Sequence, residues 1–416
     1  MHPRLPVSRV RLAVLLGALA MFGAFSIDTI FPAFPAMAAD FRASKVAMQQ
    51  TISVYLLAYA AMSLFHGPMS DAVGRRRVIL GGVAVFVLAS VGCALAPDLN
   101  TLLAFRVLQG LSAGVGLIVG RAVIRDCLDG EDAQRLMSQV TMIFGIAPAI
   151  APIIGGWILG FADWPAIFWF LALFGAAIWL ATARWLPETH PPARRRAFHP
   201  AQLWHGNLAM LRNRAFLRLA LAGSFNFGAL FLYISSAPAF VLDLLGLNEQ
   251  QFAWFFVPTI SGMMLGAYTS GRMAGRISGP RLARLGFAVC GLAVAVNVGY
   301  NLLVGAPAAP LAVLPMMLNA FGIALVFPIL TLAILDMYPH QRGAASSLQA
   351  FIGLGFNALI AGLVSPLVSH GGLALALTAG GFTFLAWWLW FGYMRRHHVV
   401  PGPVAEAAAL EPTERL

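Results

Sequence analysis

Long stretches without a charged residue recur from one end of this sequence to the other. Many are about 20 residues long, the length that an α-helix needs to cross a hydrocarbon layer about 30 Å thick. With 60% of its residues hydrophobic and only 10% charged, the chain is far too apolar for a soluble globular domain. The pattern therefore predicts an all-α membrane protein that crosses the bilayer many times.

Twelve such runs predict twelve transmembrane helices in two groups of six. The predicted spans are 12–37, 48–67, 78–96, 101–121, 138–160, 165–186, 215–240, 252–272, 283–304, 310–335, 343–369 and 372–394. The groups predict an N-terminal half over 1–186 and a C-terminal half over 215–394. Between them, 187–214 is rich in proline and then in arginine, which predicts a cytoplasmic linker with a surface helix over 202–212. The tail, 395–416, is predicted to be cytoplasmic and disordered from its composition.

The formal net charge of +11 is concentrated on one predicted side of the membrane. Of 26 arginines and one lysine, 24 lie in segments on that side, whereas the opposite loops hold only Arg42 and Lys45. This positive-inside pattern predicts cytoplasmic termini and argues against nucleic acid as the partner. The three cysteines lie within spans or on the cytoplasmic side and predict no disulfide. The start resembles a signal peptide, but Asp28 and two prolines follow instead of a cleavage site, so an uncleaved first span is predicted.

Asp28 is the only ionisable residue between Arg11 and Asp40. It lies about 15 Å from the outer end of the first span, near Ala38, which is close to the middle of the hydrocarbon layer. A charged carboxylate at that depth costs several kcal/mol, so it must pair, face water or hold a proton. Our central hypothesis is that Asp28 takes up and releases a proton, and that the remaining chain couples this to the movement of a solute.

Arg106 is the second charge inside a predicted span, roughly 9 Å below the outer surface. Because this depth is comparable to that of Asp28, we expect the two side chains to interact directly or through water, each easing the desolvation of the other. A buried ion pair with a purely structural role is the alternative. An isolated snorkelling arginine fits this depth less well.

The segment 67–77 resembles a motif between the second and third helices of the major facilitator superfamily. The matching residues are Gly67, Asp71, Gly74, Arg75 and Arg76, with Met69 where leucine is usual. The glycines suit a tight turn between two helix ends. Asp71 suits the positive N-terminus of a neighbouring helix, and Arg75 can reach carboxylates on the cytoplasmic face. The resemblance implies that Asp71 contacts the eleventh helix near Gly343, and that Asp126 joins a charge relay; the alternative is a basic loop that only sets the topology.

Two further spans resemble motifs of the same superfamily. In the fourth span, the R-x-x-q-G pattern is matched by Arg106, Gln109 and Gly110. The fifth span is similar to the antiporter motif G-x-x-x-G-P-x-x-G-G at Pro152, Gly155 and Gly156, although alanines replace its first two glycines. Small residues also permit close helix packing by themselves, and packing without any role in transport direction is the alternative for the fifth span.

The stretch Ser26-Ile-Asp28, followed by Pro32 and Pro35, is similar to the S-I-D-x-x-x-P-x-x-P sequence of the Bcr/CflA drug-resistance transporters. Segments 187–189, 334–340 and 343–347 look similar too, so the resemblance extends from residue 20 to about residue 360. It implies a major facilitator fold of two six-helix halves. It also implies export of small antibiotics, including bicyclomycin- and chloramphenicol-like compounds, in exchange for protons.

Two halves of this kind place a solute site near the membrane midplane, with rocking of the halves around it. Polar and aromatic residues expected to face that interface are Tyr55, Tyr59, Gln109, Met142, Phe225, Asn226 and Tyr233. Packing or lipid contact is the alternative for each. Met and aromatic walls adapt to apolar solutes of different shapes. His66, expected at the membrane interface, and Asp336, expected in solvent, are weaker candidates for proton transfer.

We therefore predict a proton-coupled multidrug exporter of the bacterial inner membrane, a monomer whose partners are small-molecule drugs, protons and lipid, and not an enzyme. No spacing of histidine, cysteine or carboxylates suggests a metal, and no phosphate-binding loop suggests ATP. No cofactor is predicted, and the proton gradient is the expected energy source. Two alternatives stay open: proton-coupled uptake of a small metabolite, and a membrane receptor or scaffold that transports nothing.

Overall fold

The computed structural model describes residues 8–396, except for 129, 196–199, 305–306 and 340. The described residues form helices and connecting segments, without a β-strand among them. The predicted tail lies outside the described residues from position 397 onward, as do Arg196 of the linker and His340. The prediction of an all-helical fold is confirmed.

Twelve long helices account for the twelve predicted spans. In chain order they are α1 (Arg9–Asp40), α2 (Lys45–Val73), α3 (Arg75–Ala94), α4 (Leu99–Cys127), α5 (Gly130–Leu159), α6 (Pro165–Trp185), α7 (Arg214–Ser235), α8 (Ala253–Met273), α9 (Gly279–Leu303), α10 (Leu314–Met337), α11 (Arg342–Val368) and α12 (Gly372–Arg396). In the described part of the chain, eleven helices are long and apolar enough to cross a membrane. The other, α8, has 21 residues, but its glycines, hydroxyl side chains and Pro258 dilute its apolar character. A shorter helix, Pro200–Arg212, precedes α7 where the surface helix is predicted.

α1 is broken in its second half. Its helical segment Phe22–Asp28 ends at Asp28, a 3₁₀ turn follows over Phe31–Ala33, and the α-helix resumes at Phe34. Pro32 and Pro35 have no N–H to donate to the preceding turn, so they favour a break here. Asp28 is therefore the last residue of a helical segment, next to backbone that departs from regular α-helical bonding.

The predicted spans 48–67 and 78–96 imply a loop over 67–77, and this is wrong, because the segment is helical apart from one residue. α2 continues through Pro68 to Val73, and Gly74 alone separates it from α3. Gly74 has φ of 110°, a conformation that glycine adopts at little cost, so the tight turn is correct for this glycine. Gly67 lies inside α2 and makes no turn, because backbone bonding continues past the point where the apolar pattern ends.

Each group of helices packs chiefly within itself. In the first group α4 packs on α2 and α3, α3 also packs on α6, and α1 packs on α5. In the second group α10 packs on α8 and α9, and α12 packs on α7 and α9. Glycines allow some of these backbones to touch, because a Cβ at Gly116 would overlap the carbonyl oxygen of Leu19, and one at Gly266 that of Phe321.

The two groups meet through α2 against α11 and through α5 against α8. We call the bundle end that holds Lys45 the Lys45 end, and the opposite one the Gly74 end. Hydrogen bonds join the groups toward the Lys45 end: Lys45 Nζ to Asp243 Oδ2 at 2.5 Å, Gln49 Nε2 to Ser235 O at 2.9 Å, Gln50 Nε2 to Gly362 O at 3.0 Å and Ser53 Oγ to Ala358 O at 2.9 Å. These contacts hold the Lys45 end together in this conformation.

Candidate functional site

Asp28 is buried at the break in α1, with 4% of its surface exposed. Its carboxylate makes no hydrogen bond and no ion pair with any residue in the described part of the chain. α5 touches the same break, because a Cβ at Gly155 would overlap the carbonyl oxygen of Thr29. A carboxylate without a partner in such surroundings is costly when charged, and this favours holding a proton.

Arg106 is fully buried and bonded on several sides. Its Nε donates to Thr51 O at 3.1 Å, and its Nη1 donates to Ser26 O at 2.9 Å and to Gln109 Oε1 at 2.8 Å. The guanidinium also lies 4.4 Å from the centre of the Tyr55 ring, within reach of a cation–π interaction. Its Nη2 has no hydrogen-bond partner in the described structure. The positive charge of Arg106 is thus stabilised by carbonyl oxygens and the Tyr55 ring instead of a carboxylate.

No hydrogen bond or ion pair joins Asp28 to Arg106 in the described structure. The direct pairing that the sequence left open is not formed in this conformation, and an interaction through water stays a prediction. Arg106 instead binds the carbonyl oxygen of Ser26, two residues before Asp28 and in the same helical segment. A movement of Arg106 would therefore pull on the backbone that positions Asp28.

A second cluster of charges lies at the Gly74 end. Arg75, with 8% of its side chain exposed, contacts Asp71 at 2.6 Å and Asp126 at 3.0 Å, and its Nη1 donates to Ser70 Oγ at 2.5 Å. The structure thus brings together Asp71, Arg75 and Asp126 of the expected relay. No hydrogen bond or ion pair joins Asp71 to α11 among the described residues, so the expected contact between them stays a prediction. Arg76 donates to Ala183 O at 2.7 Å, near the end of α6.

Two residues of this cluster escaped the sequence analysis. Glu188 Oε1 accepts from the backbone N of Arg75 at 3.0 Å, so Glu188 caps the N-terminus of α3. Thr189 Oγ1 donates to Asp126 Oδ2 at 3.1 Å. The Pro-Glu-Thr segment after α6 was noted only as a family resemblance, and nothing in its spacing indicates contact with residues more than 60 positions away.

The two glycines at the end of α5 approach different partners. Gly155 meets α1 at Thr29, whereas a Cβ at Gly156 would overlap the carbonyl oxygen of Glu249, in the loop before α8. Gln250 Nε2 also donates to Gly156 O at 3.4 Å. Pro152 lies inside the same helix, one turn earlier. This end of α5 therefore packs against both groups of helices.

The seven candidate solute residues fall into separate places. Tyr55, Tyr59 and Gln109 are buried within the first group, where Gln109 binds Arg106 and its Nε2 donates to Ser90 Oγ at 2.8 Å. Asn226 and Tyr233 are buried within the second group, where Tyr233 accepts from Asn297 Nδ2 at 2.7 Å and lines a small cavity. The other two, Phe225 and Met142, are partly and largely exposed. No described contact joins the seven into one site, so their common role stays a prediction.

The two weaker proton candidates differ in their surroundings. His66 is 2% exposed, lies inside α2 facing Gly114 of α4, and has no partner for Nδ1 among the described residues. Its ring is held between two helices, and the expectation that His66 lies at the membrane interface stays a prediction. Asp336 is exposed near the end of α10, as expected for a solvated carboxylate. No group of residues suited to hold a metal ion is found in the described part of the chain.

Comparisons with known proteins give a consistent picture. The family model of the Major Facilitator Superfamily matches residues 14–360. An uncharacterised MFS-type transporter, YdgK of Bacillus subtilis, is 34% identical over 365 residues, which is 86% of this chain and 89% of that protein. Multidrug resistance protein D of Escherichia coli is 29% identical over 385 residues, 91% of this chain and 95% of that protein. The bicyclomycin resistance protein homologue of Haemophilus influenzae is 27% identical, covering 88% of this chain and 91% of that protein.

Solved structures share the fold at low identity. A bacterial homologue of the human lysosomal transporter Spinster, inward-facing and occupied, superposes with a TM-score of 0.72 at 15% identity, covering 95% of this chain and 99% of that one. A D-xylose–proton symporter superposes with a TM-score of 0.69 at 12% identity, covering 91% of this chain and 97% of that one. The likeness establishes the arrangement of the helices and leaves the direction of transport open.

Proposed function

This chain belongs to the major facilitator superfamily, and from that premise we propose that it is a proton-coupled exporter of small antibiotics in a bacterial inner membrane. It is a multi-pass membrane transporter and not an enzyme, and its relatives include proteins named for multidrug and bicyclomycin resistance. The parts of this function that we propose are the antiport, its coupling to protons and the antibiotic as the exported solute. We further propose that it works as a monomer whose Gly74 end, where the arginines are concentrated, faces the cytoplasm.

The observation that carries the proposal is the buried, unpartnered carboxylate of Asp28 at the break in α1. Its charge state changes how much the surrounding structure is stabilised, because a charged carboxylate needs water or a cation and a neutral one does not. The backbone beside it contacts α5 through Gly155, and Arg106 holds it to α4. Gain or loss of one proton can therefore alter the packing of three helices.

The proposed cycle uses two conformations of the halves, residues 1–186 and 215–394, joined by the linker 187–214. In the conformation described here the Lys45 end is held closed, so Asp28 releases its proton toward the Gly74 end and the solute enters from that end. After the halves rock, Asp28 takes a proton from outside, the solute leaves, and the neutral carboxyl permits the return. When Arg106 lies near Asp28, its positive charge favours the charged carboxylate. When Arg106 moves away, that stabilisation is lost and Asp28 binds a proton more readily.

Uptake by proton symport is the competing function, because the D-xylose–proton symporter shares the fold. The 26–35 stretch and the drug-resistance relatives favour export. A receptor or scaffold that transports nothing is set aside, since the family consists of transporters.

The test is drug accumulation in a hypersensitive bacterial host that expresses either the wild type or Asp28→Asn. Wild type should lower chloramphenicol accumulation, and the lowering should vanish in Asp28→Asn at equal expression. Asp163→Asn, which removes an exposed carboxylate outside the helices, is the matched control and should retain export. Full export by Asp28→Asn rejects the role of Asp28, and raised accumulation by wild type supports uptake instead.

A further inference from the structure

Arg121 of α4 carries a charge that nothing in the function above uses. It lies six residues before Cys127, the last residue of α4, which places its Cα about 9 Å inside the helix end. Its side chain is exposed, and it makes no ion pair or hydrogen bond with any residue that the structure describes. Arg125, four residues further along the same helix, is also exposed, and like charges at this spacing repel each other.

The nearby carboxylates are already engaged. Asp126 binds Arg75 and accepts from Thr189, and Asp71 binds Arg75. Neither of them contacts Arg121. Among the described residues, Arg121 and Arg125 therefore have no carboxylate partner near the Gly74 end, and positive charge of this kind attracts anions where protein walls exclude water.

Arg121 points into the bundle and not only toward its surface. Tyr59 is buried, and its ring packs against Gly23 of α1 and Gly114 of α4. Gly114 and Arg121 are seven residues apart, so they lie on the same face of α4. The exposed side chain of Arg121 therefore lies on the face of α4 that packs against Tyr59 of α2.

We propose that Arg121, assisted by the Tyr59 hydroxyl, binds the anionic group of the transported solute, and that the solutes include carboxylic acids. A guanidinium binds a carboxylate through two parallel hydrogen bonds, and the tyrosine hydroxyl adds a third donor. The inference rests on the proposed export function and names its substrate class. An inner-leaflet lipid phosphate offers the same chemistry, but the position beside a buried tyrosine favours a solute that enters the bundle.

The test uses two ligands that differ in charge alone, 2-naphthoate and 2-naphthamide, whose intrinsic fluorescence reports binding to the purified full chain. Wild type should bind the carboxylate at least about tenfold more tightly than the amide, as expected for charged hydrogen bonds. Arg121→Gln should remove that preference and leave amide binding intact, which also shows that the variant is folded. Arg121→Lys should keep most of the preference. The matched control is Arg284→Gln, which removes an exposed arginine at similar depth in α9.

Three results would overturn the inference. The first is equal binding of the two ligands by wild type, and the second is an unchanged preference in Arg121→Gln. For the third, the titrations are repeated in nanodiscs with and without phosphatidylglycerol. If Arg121→Gln changes how this lipid affects binding but leaves the preference for naphthoate unchanged, Arg121 binds lipid and not the solute. Chloramphenicol, which is neutral, separates this inference from the proposed function. If the neutral drug is exported while the carboxylate preference is absent, the inference fails alone; if neither drug class is exported, the proposed function fails.

Discussion

The hydrogen bonds between α2 and α11 should set the balance between the two conformations. Gln50 Nε2 donates to Gly362 O at 3.0 Å, and Ser53 Oγ donates to Ala358 O at 2.9 Å. Both acceptors lie at or beside the π-helical turn Ile360–Val364 of α11, a geometry that often marks functional sites. Each bond contributes about 1 kcal/mol, so the double variant Gln50→Leu/Ser53→Ala should lose about 2 kcal/mol. That loss shifts the equilibrium roughly thirtyfold toward the conformation with an open Lys45 end.

Electron paramagnetic resonance can measure that shift as a distance between two spin labels. The labels are placed at Val46 and Asn248, exposed positions on opposite sides of the contact, in a chain whose three cysteines are replaced. The double variant should gain a population at longer distance. Ser63→Ala is the control, because Ser63 donates within α2 to Ala60 O at 2.7 Å and should leave the distribution unchanged. An unaltered distribution in the double variant, or an equal shift in Ser63→Ala, would refute the reasoning.

Three further substitutions test other contacts. Gly155→Ala should impair export strongly, because its Cβ would overlap Thr29 O, whereas Gly145→Ala, with open space around it, should export normally. Gly74→Ala should lower the free energy of unfolding by about 1–2 kcal/mol, because alanine disfavours the positive φ there. An unchanged midpoint temperature of thermal unfolding would contradict backbone strain at this position. Arg106→Lys keeps the charge but cannot make all three hydrogen bonds, so export should fall sharply at normal expression, and wild-type export would show that charge alone suffices.

The fold was largely predictable from the sequence, because apolar length is a direct physical requirement for crossing a membrane. The twelve predicted spans each contain a long helix, and the family comparison confirms the arrangement. Helix ends were less predictable. α2 runs on to Val73, since backbone hydrogen bonding does not stop where the apolar residues do. The break in α1 was not predicted, although Pro32 and Pro35, which favour it, are visible in the sequence.

The candidate site was predictable in its charges and only partly in their partners. Asp28 and Arg106 stand out because a charge within an apolar run is visible in the sequence. The main partners of Arg106 are the backbone carbonyls of Ser26 and Thr51, and a carbonyl carries no sequence signal. The contact between Glu188 and α3 likewise joins residues 113 positions apart, and only the folded chain reveals it.

The central claim is that proton binding at Asp28 and solute binding are coupled, and proton release on solute binding tests it most directly. Purified protein in weakly buffered solution is mixed with chloramphenicol while a pH indicator records free protons. Over the pH range where Asp28 starts protonated, we expect wild type to release protons in proportion to bound drug, and Asp28→Asn to bind the drug without release. Equal release from both proteins, or drug binding by wild type without release at any pH, would contradict the account.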